Sequence, residues 1–109
     1  MEQTEHIVLT VTEKAATALA QQRFVNFNGG QAGDGEAVLG IANTNYDLGE
    51  QAGINAQGSL LVEAGAVIAK GAQVQSDAQG RAVTLAAGVA AGRARDAATA
   101  AGELIRILR

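Results

Sequence analysis

The chain has 109 residues and a mass of 11.0 kDa, enough for one domain and no second core. It contains no Cys, Pro or Trp and a single His, His6, which excludes disulfides, thiolate metal sites and multi-histidine centres. A net charge of −3 with 3% aromatic residues has the wrong sign and too few stacking groups for a nucleic-acid binder.

No apolar run is long enough to cross a membrane, and Met1-Glu2-Gln3-Thr4-Glu5 is acidic where a signal peptide would be basic. A protein kept in the cytosol or released by lysis is the expectation. Apolar residues make up 48%, but Ala supplies nearly half of them and 14 glycines accompany them. Ala buries little area at roughly 25 cal/mol per Å², and small domains are already marginal. Such a chain is expected to gain stability by packing against copies of itself or a larger assembly.

Along the chain, Ile7–Val11 alternates as a strand or a docking arm, so residues 1–12 separate from a single β domain over 13–109. Glu13–Gln22 consists of helix formers, read as a loop or a single helical turn. Phe24–Phe27 is a strand, with Phe24 and Asn26 facing one way and Val25 and Phe27 the other, entering a turn at Asn28-Gly29. Turn residues at Asp34-Gly35, Asn45–Gly49 and Gln57-Gly58 bracket the runs Ala37–Ala42 and Leu60–Val62. Val74–Thr84 is the clearest hairpin, with Ser76–Gly80 at its tip. Leu104–Leu108 fits a helical face and a strand equally well, and it is read as a strand. An internal echo supports that choice: Gly40-Ile41-Ala42 followed by Gly49-Glu50 and Ile54 resembles Gly92-Arg93-Ala94 followed by Gly102-Glu103 and Ile105. The pattern predicts an all-β fold, a small antiparallel β-barrel or jelly-roll-like β-sandwich of short strands joined by Gly-rich turns.

The charges divide unevenly. Residues 1–63 hold eight acids and two bases, and residues 64–109 hold six bases and three acids. The simple reading is that the halves interleave and their charges pair or stay solvated; the sharper one is a polar surface docking on oppositely charged neighbours.

Catalytic patterns are absent from the sequence. Gly29–Gly35 lacks the spacing and the Lys of a phosphate loop, and Asp34 and Glu36 would repel an anion. The close acid pairs Asp34/Glu36 and Asp47/Glu50 fit neither an EF-hand nor a sugar site and read as turn acids. Ser59 and Ser76 lie in no nucleophile elbow, and His6 is the only base available to either. Glu63–Val74, with Gly65 and Gly71 around a β-branched centre, has the look of biotinyl and lipoyl carrier domains, although the tip Ser76–Gln79 carries no Lys and Lys70 is not at the carrier position.

Taken together, Arg23-Phe24-Val25, Glu36–Ala42, Val62–Ala66, Val74–Val83 and Ala101–Leu108 resemble the capsid cement, or head decoration, proteins of tailed bacteriophages. The resemblance covers most of the chain from Arg23 onward and less of the N-terminal segment. It implies an all-β structural subunit on the outer face of an HK97-type phage head, between capsomers, stabilising the shell against internal DNA pressure. It implies no enzymatic activity and no cofactor or metal. The implied partners are the major capsid protein and the chain itself, as a dimer or trimer, with no nucleic acid and no membrane. The implied location is the virion surface, after assembly in the host cytoplasm. A segment that orders on docking would bury Ile7, Leu9 and Val11 by adding a strand to a neighbour. With His6, and with Arg93, Arg95 and Arg106 facing acids, these are the expected capsid or subunit contacts. The competing expectation is a barrel-type carrier or adaptor domain of a multiprotein complex.

Overall fold

A computed structural model describes residues 4–109; Met1, Glu2 and Gln3 of the expected arm lie outside the described residues. Eight strands follow in order: β1 (His6–Lys14), β2 (Phe24–Asn26), β3 (Val38–Ala42), β4 (Gln51–Glu63), β5 (Gln73–Ser76), β6 (Ala82–Thr84), β7 (Gly92–Ala94) and β8 (Leu104–Leu108). They form one antiparallel sheet in the order β2-β3-β4-β8-β7-β5-β6, with β1 paired to β4 off that path. There is no helix among the described residues.

The sheet curls almost into a barrel. Its two ends meet where Phe24 N–H in β2 donates at 2.7 Å to the Gly80 carbonyl before β6, and β6 is also tied to the chain just past β4 by Gly65 N–H donating to Ala82 at 2.7 Å. The all-β expectation holds, in its barrel form.

The 13-residue β4 is the spine. It pairs with β1 along Gln51–Ser59, with β3 at Ile54 and Asn55, and with β8 along Ser59–Glu63. Ile54 and Asn55 pair with β1 and β3 at once, and Ser59 with β1 and β8 at once. So β1 occupies one edge of β4, and β3 and β8 follow one another along the other.

Two apolar clusters result. The larger fills the barrel with Phe24, Ile41, Leu60, Val62, Ile105 and Ile107 among others. The smaller gathers Ala15, Leu19, Val25 and Ile54 beneath the loop after β1. Phe24 and Val25 do face opposite ways, yet both are fully buried because β2 stands between the two clusters.

Several expectations are corrected. Glu13 and Lys14 extend β1, pairing with Ala52 and Gln51, and the following stretch is a loop with no helical turn. Burying Ala15 and Leu19 outweighs the helix propensity of its alanines. Gln57-Gly58 is no turn but the middle of β4. There the register with β1 slips twice, leaving Val8 and Ala56 without partners. Gly58 has φ +127°, and a Cβ on it would overlap the His6 carbonyl oxygen. The glycine permits close strand approach and does not end the strand.

The C-terminal run is a strand, as read. Ile105 and Ile107 point into the barrel while Leu104 and Leu108 are exposed, so apolar residues lie on both faces.

The internal echo is structural. Gly49 (φ +90°) and Gly102 (φ +92°) turn the chain before β4 and β8. In each turn the next residue's carboxylate accepts a backbone N–H: Glu50 from Asp47 at 2.6 Å, Glu103 from Thr99 at 2.7 Å. Gly35-Glu36 repeats the device, with Glu36 accepting from Gly33 at 2.6 Å. Glu36, Glu50 and Glu103 are therefore turn caps. Their backbone donors hold the Glu36 and Glu103 carboxyls below the usual glutamate range, helped by Asn26 and the Thr99 hydroxyl respectively.

Candidate docking surface

Directly opposed residues in an antiparallel sheet project from the same face. The register draws one such row across five strands: His6 opposite Ser59, Ser59 opposite Leu108, Leu108 opposite Arg93, and Arg93 opposite Gln73. Their chain neighbours Leu60, Ile107 and Ala94 point into the barrel, so this row is exterior. A second row places Arg106 opposite Leu61 on the same side. The separately expected residues His6, Arg93, Arg95 and Arg106 thus share one outer face.

Their chemistry differs. Arg106 is engaged within the chain: its Nε and Nη2 each donate to an Asp96 oxygen at 2.8 Å, a bidentate fork that raises its pKa. Arg95 Nη1 donates to the Ser59 hydroxyl at 3.0 Å, and Arg93 Nη1 to the Gly71 carbonyl at 2.7 Å. Both residues are exposed and make no ion pair among the described residues, so their charge faces outward. The division of charge is partly cancelled elsewhere. Glu63 takes Arg23 at 3.2 Å and Arg81 at 3.7 Å, which joins the acidic and basic parts of the chain.

The β1 residues separate. Because Val8 is bulged, Ile7 shares a shallow groove with Thr10, Asn43 and Tyr46, whereas Leu9 lines a different one. Val11 is half-buried against the smaller cluster. Ile7, Val8 and Leu9 remain 44%, 67% and 43% exposed, an unusual run of uncovered apolar side chains on a chain this small.

The groove at Leu9 has a volume of about 530 Å³ and walls of Leu9, Leu39, Leu108 and Ala90. Arg93 and Arg109 supply its charge. Arg109 Nη2 donates to the Val38 carbonyl at 2.9 Å, while its Nη1 is buried with no hydrogen-bond partner among the described residues. Burial pulls the Arg109 pKa down, as expected for a desolvated cation. Sequence reasoning missed Leu39, Leu108 and Arg109. The available signal was the Leu104-Arg106-Leu108 alternation, once the run is taken as a strand with its isoleucines inward.

The residues weighed for catalysis hold structural positions. The register brings His6 opposite Ser59, but the Ser59 hydroxyl accepts from the Arg95 guanidinium, which cannot take up its proton. The Ser76 hydroxyl is buried and donates to the Asp77 carbonyl at 2.9 Å. The β5–β6 tip presents Asp77, Ala78 and Gln79, with Asp77 capping it through Gln79 and Arg81 N–H groups. Among the described residues no group of three or more His, Cys, Asp or Glu could hold a metal ion.

A family model described as phage cement protein matches residues 2–109. No curated protein sequence matches the chain. A solved structure, the N base of the head fiber gp8.5 of bacteriophage phi29, superposes with a TM-score of 0.76 over 92% of each chain at 20% identity. At that identity the likeness concerns the fold alone.

Proposed function

The chain belongs to the phage cement protein family, which makes it a phage structural protein, and on that premise we propose that it binds the outer surface of an HK97-type head between capsomers and stabilises the shell against packed DNA. The observation that carries this reading is a family match spanning essentially the whole chain. The outer face supports it: exposed Arg93 and Arg95 beside Leu108 and the uncovered Ile7–Leu9 run suit broad contact with a protein surface better than burial of a small ligand.

Because β1 pairs with β4 alone among the described strands, its second edge keeps backbone donors and acceptors available for a neighbour's strand. His6, Ile7 and Leu9 flank that edge, with Val11 anchoring the strand to the body of the subunit. The partners in this reading are the major capsid protein and further copies of the chain, as dimers or trimers. Modest affinity per copy suffices, since a shell repeats the contact many times. The reading needs no catalysis, cofactor, metal, nucleic acid or membrane.

The test is co-sedimentation of purified protein with expanded capsids, together with capsid melting. Binding and a raised melting temperature are expected; absence of both refutes the proposal.

A further inference from the structure

The groove of Leu9, Leu39 and Leu108 is also lined by Arg109, whose guanidinium brings a positive charge to its wall. A carboxylate reaching that groove would meet a complementary charge. Arg93, exposed on the groove wall, adds a second positive charge.

The same chain carries the complementary shape. The connection between β3 and β4 ends in Asp47-Leu48-Gly49-Glu50, where Leu48 is 70% exposed, the most uncovered large apolar side chain of those described. Asp47 and Glu50 flank it, both exposed, and the Asp47 carboxylate makes no ion pair with another described residue. Glu13 and Lys14, paired to the adjoining Ala52 and Gln51, leave this end of the molecule net acidic.

Tip and groove cannot meet within one molecule. They lie at opposite ends of the same hairpin: the groove at Leu39 and Gln57, the tip beyond Ala42 and Gln51. Six residues of strand at about 3.3 Å each put roughly 20 Å between them.

We propose that the Asp47–Glu50 tip of one copy seats in the Leu9/Leu39/Leu108 groove of the next, with Leu48 on the apolar walls and the Asp47 carboxylate facing the positive charge of Arg93 and Arg109. The contact is heterologous, joining different patches of two identical subunits, and so generates a closed ring where the rotation permits. It rests on the self-association included in the proposed function and deepens it by naming the two surfaces.

The experiment measures the solution mass of the free protein by light scattering, for wild type, Asp47→Lys, Arg93→Glu and the double variant Asp47→Lys/Arg93→Glu. Thermal melting confirms that each is folded. Both positions are exposed, so the fold is expected to survive each change. The wild type should exceed the 11.0 kDa of one chain and dissociate as salt is raised, because exposed charge pairs are screened. Each single reversal should reduce the mass to one chain, and the double should restore the oligomer by exchanging the signs. A monomeric wild type, single variants that stay assembled, or a double variant that stays dissociated overturns the proposal. Capsid co-sedimentation is scored separately, so failure of the ring contact is distinguishable from failure of capsid binding.

Discussion

Gly58 is the position where one added methyl group should do the most local damage. It lies in mid-strand with φ +127°, pinned by reciprocal hydrogen bonds to Arg109: its N–H to the Arg109 carbonyl at 3.2 Å and the Arg109 N–H to its own carbonyl at 3.1 Å. In Gly58→Ala the new Cβ would overlap the His6 carbonyl oxygen and sit 3.0 Å from Val8 N. With β4 held by β8, relief must come from β1. Its first residues would peel away, giving up the His6–Ser59 and Ile7–Gly58 pairings at a net cost of about 0.5–1.5 kcal/mol per hydrogen bond. The disfavoured φ adds roughly 1–3 kcal/mol.

The sum is about 3 kcal/mol, a large share of the 5–15 kcal/mol typical of a domain. It should lower the melting temperature on the order of 10–20 °C. Gly49→Ala is the control. Its φ is +90°, but no atom lies within 4 Å of the added carbon, so only strain of roughly 1–2 kcal/mol applies. Circular-dichroism melts give the totals, and hydrogen exchange locates the loss at the amides of His6–Val8. Equal destabilisation by the two substitutions, or unchanged protection of β1, would refute the steric argument.

Other outcomes follow from the same geometry. Phe24→Ala removes a fully buried ring at the barrel's closing seam and should cost about 3–5 kcal/mol, measured by chemical denaturation. Ile7→Ser and Val8→Ser touch side chains already 44% and 67% exposed; stability should change within about 0.5 kcal/mol while capsid co-sedimentation falls. The lowered Glu36 and Glu103 pKa values mean that these turns contribute stability above the ordinary glutamate value of about 4.3 and lose it as pH drops through the folded values. Melting temperature should therefore decline on the acid side, and less steeply in Glu36→Gln/Glu103→Gln. Arg106→Gln and Asp96→Asn each break the bidentate fork, and a double-mutant cycle of melting temperatures should show the two losses to be non-additive.

Much of the fold could be read along the chain because its signals are local. Period-two runs and turn residues located seven of the eight strands in part, β7 being marked only by its echo of Gly40–Ala42, and the Gly-Glu echo marked two hairpins whose carboxylates cap them. Where the reading failed, the deciding partner was distant in sequence. Gly58 looked like a turn because its role depends on His6 passing beside it, 52 residues earlier. Ile7, Leu9 and Val11 looked like one side of a strand because the bulge at Val8 is imposed by that same pairing.

The sequence by itself determined an all-β chain with few bulky side chains, no thiol chemistry and an excess of acid. Its composition and alternation depend only on neighbours along the backbone. Tertiary structure alone decided which face of each strand meets solvent, set Arg106 on Asp96 while leaving Arg93 facing outward, and buried Arg109 Nη1 without a partner among the described residues. Those outcomes depend on strand register and barrel closure, which couple residues as distant in sequence as Val38 and Arg109 and which no local pattern encodes.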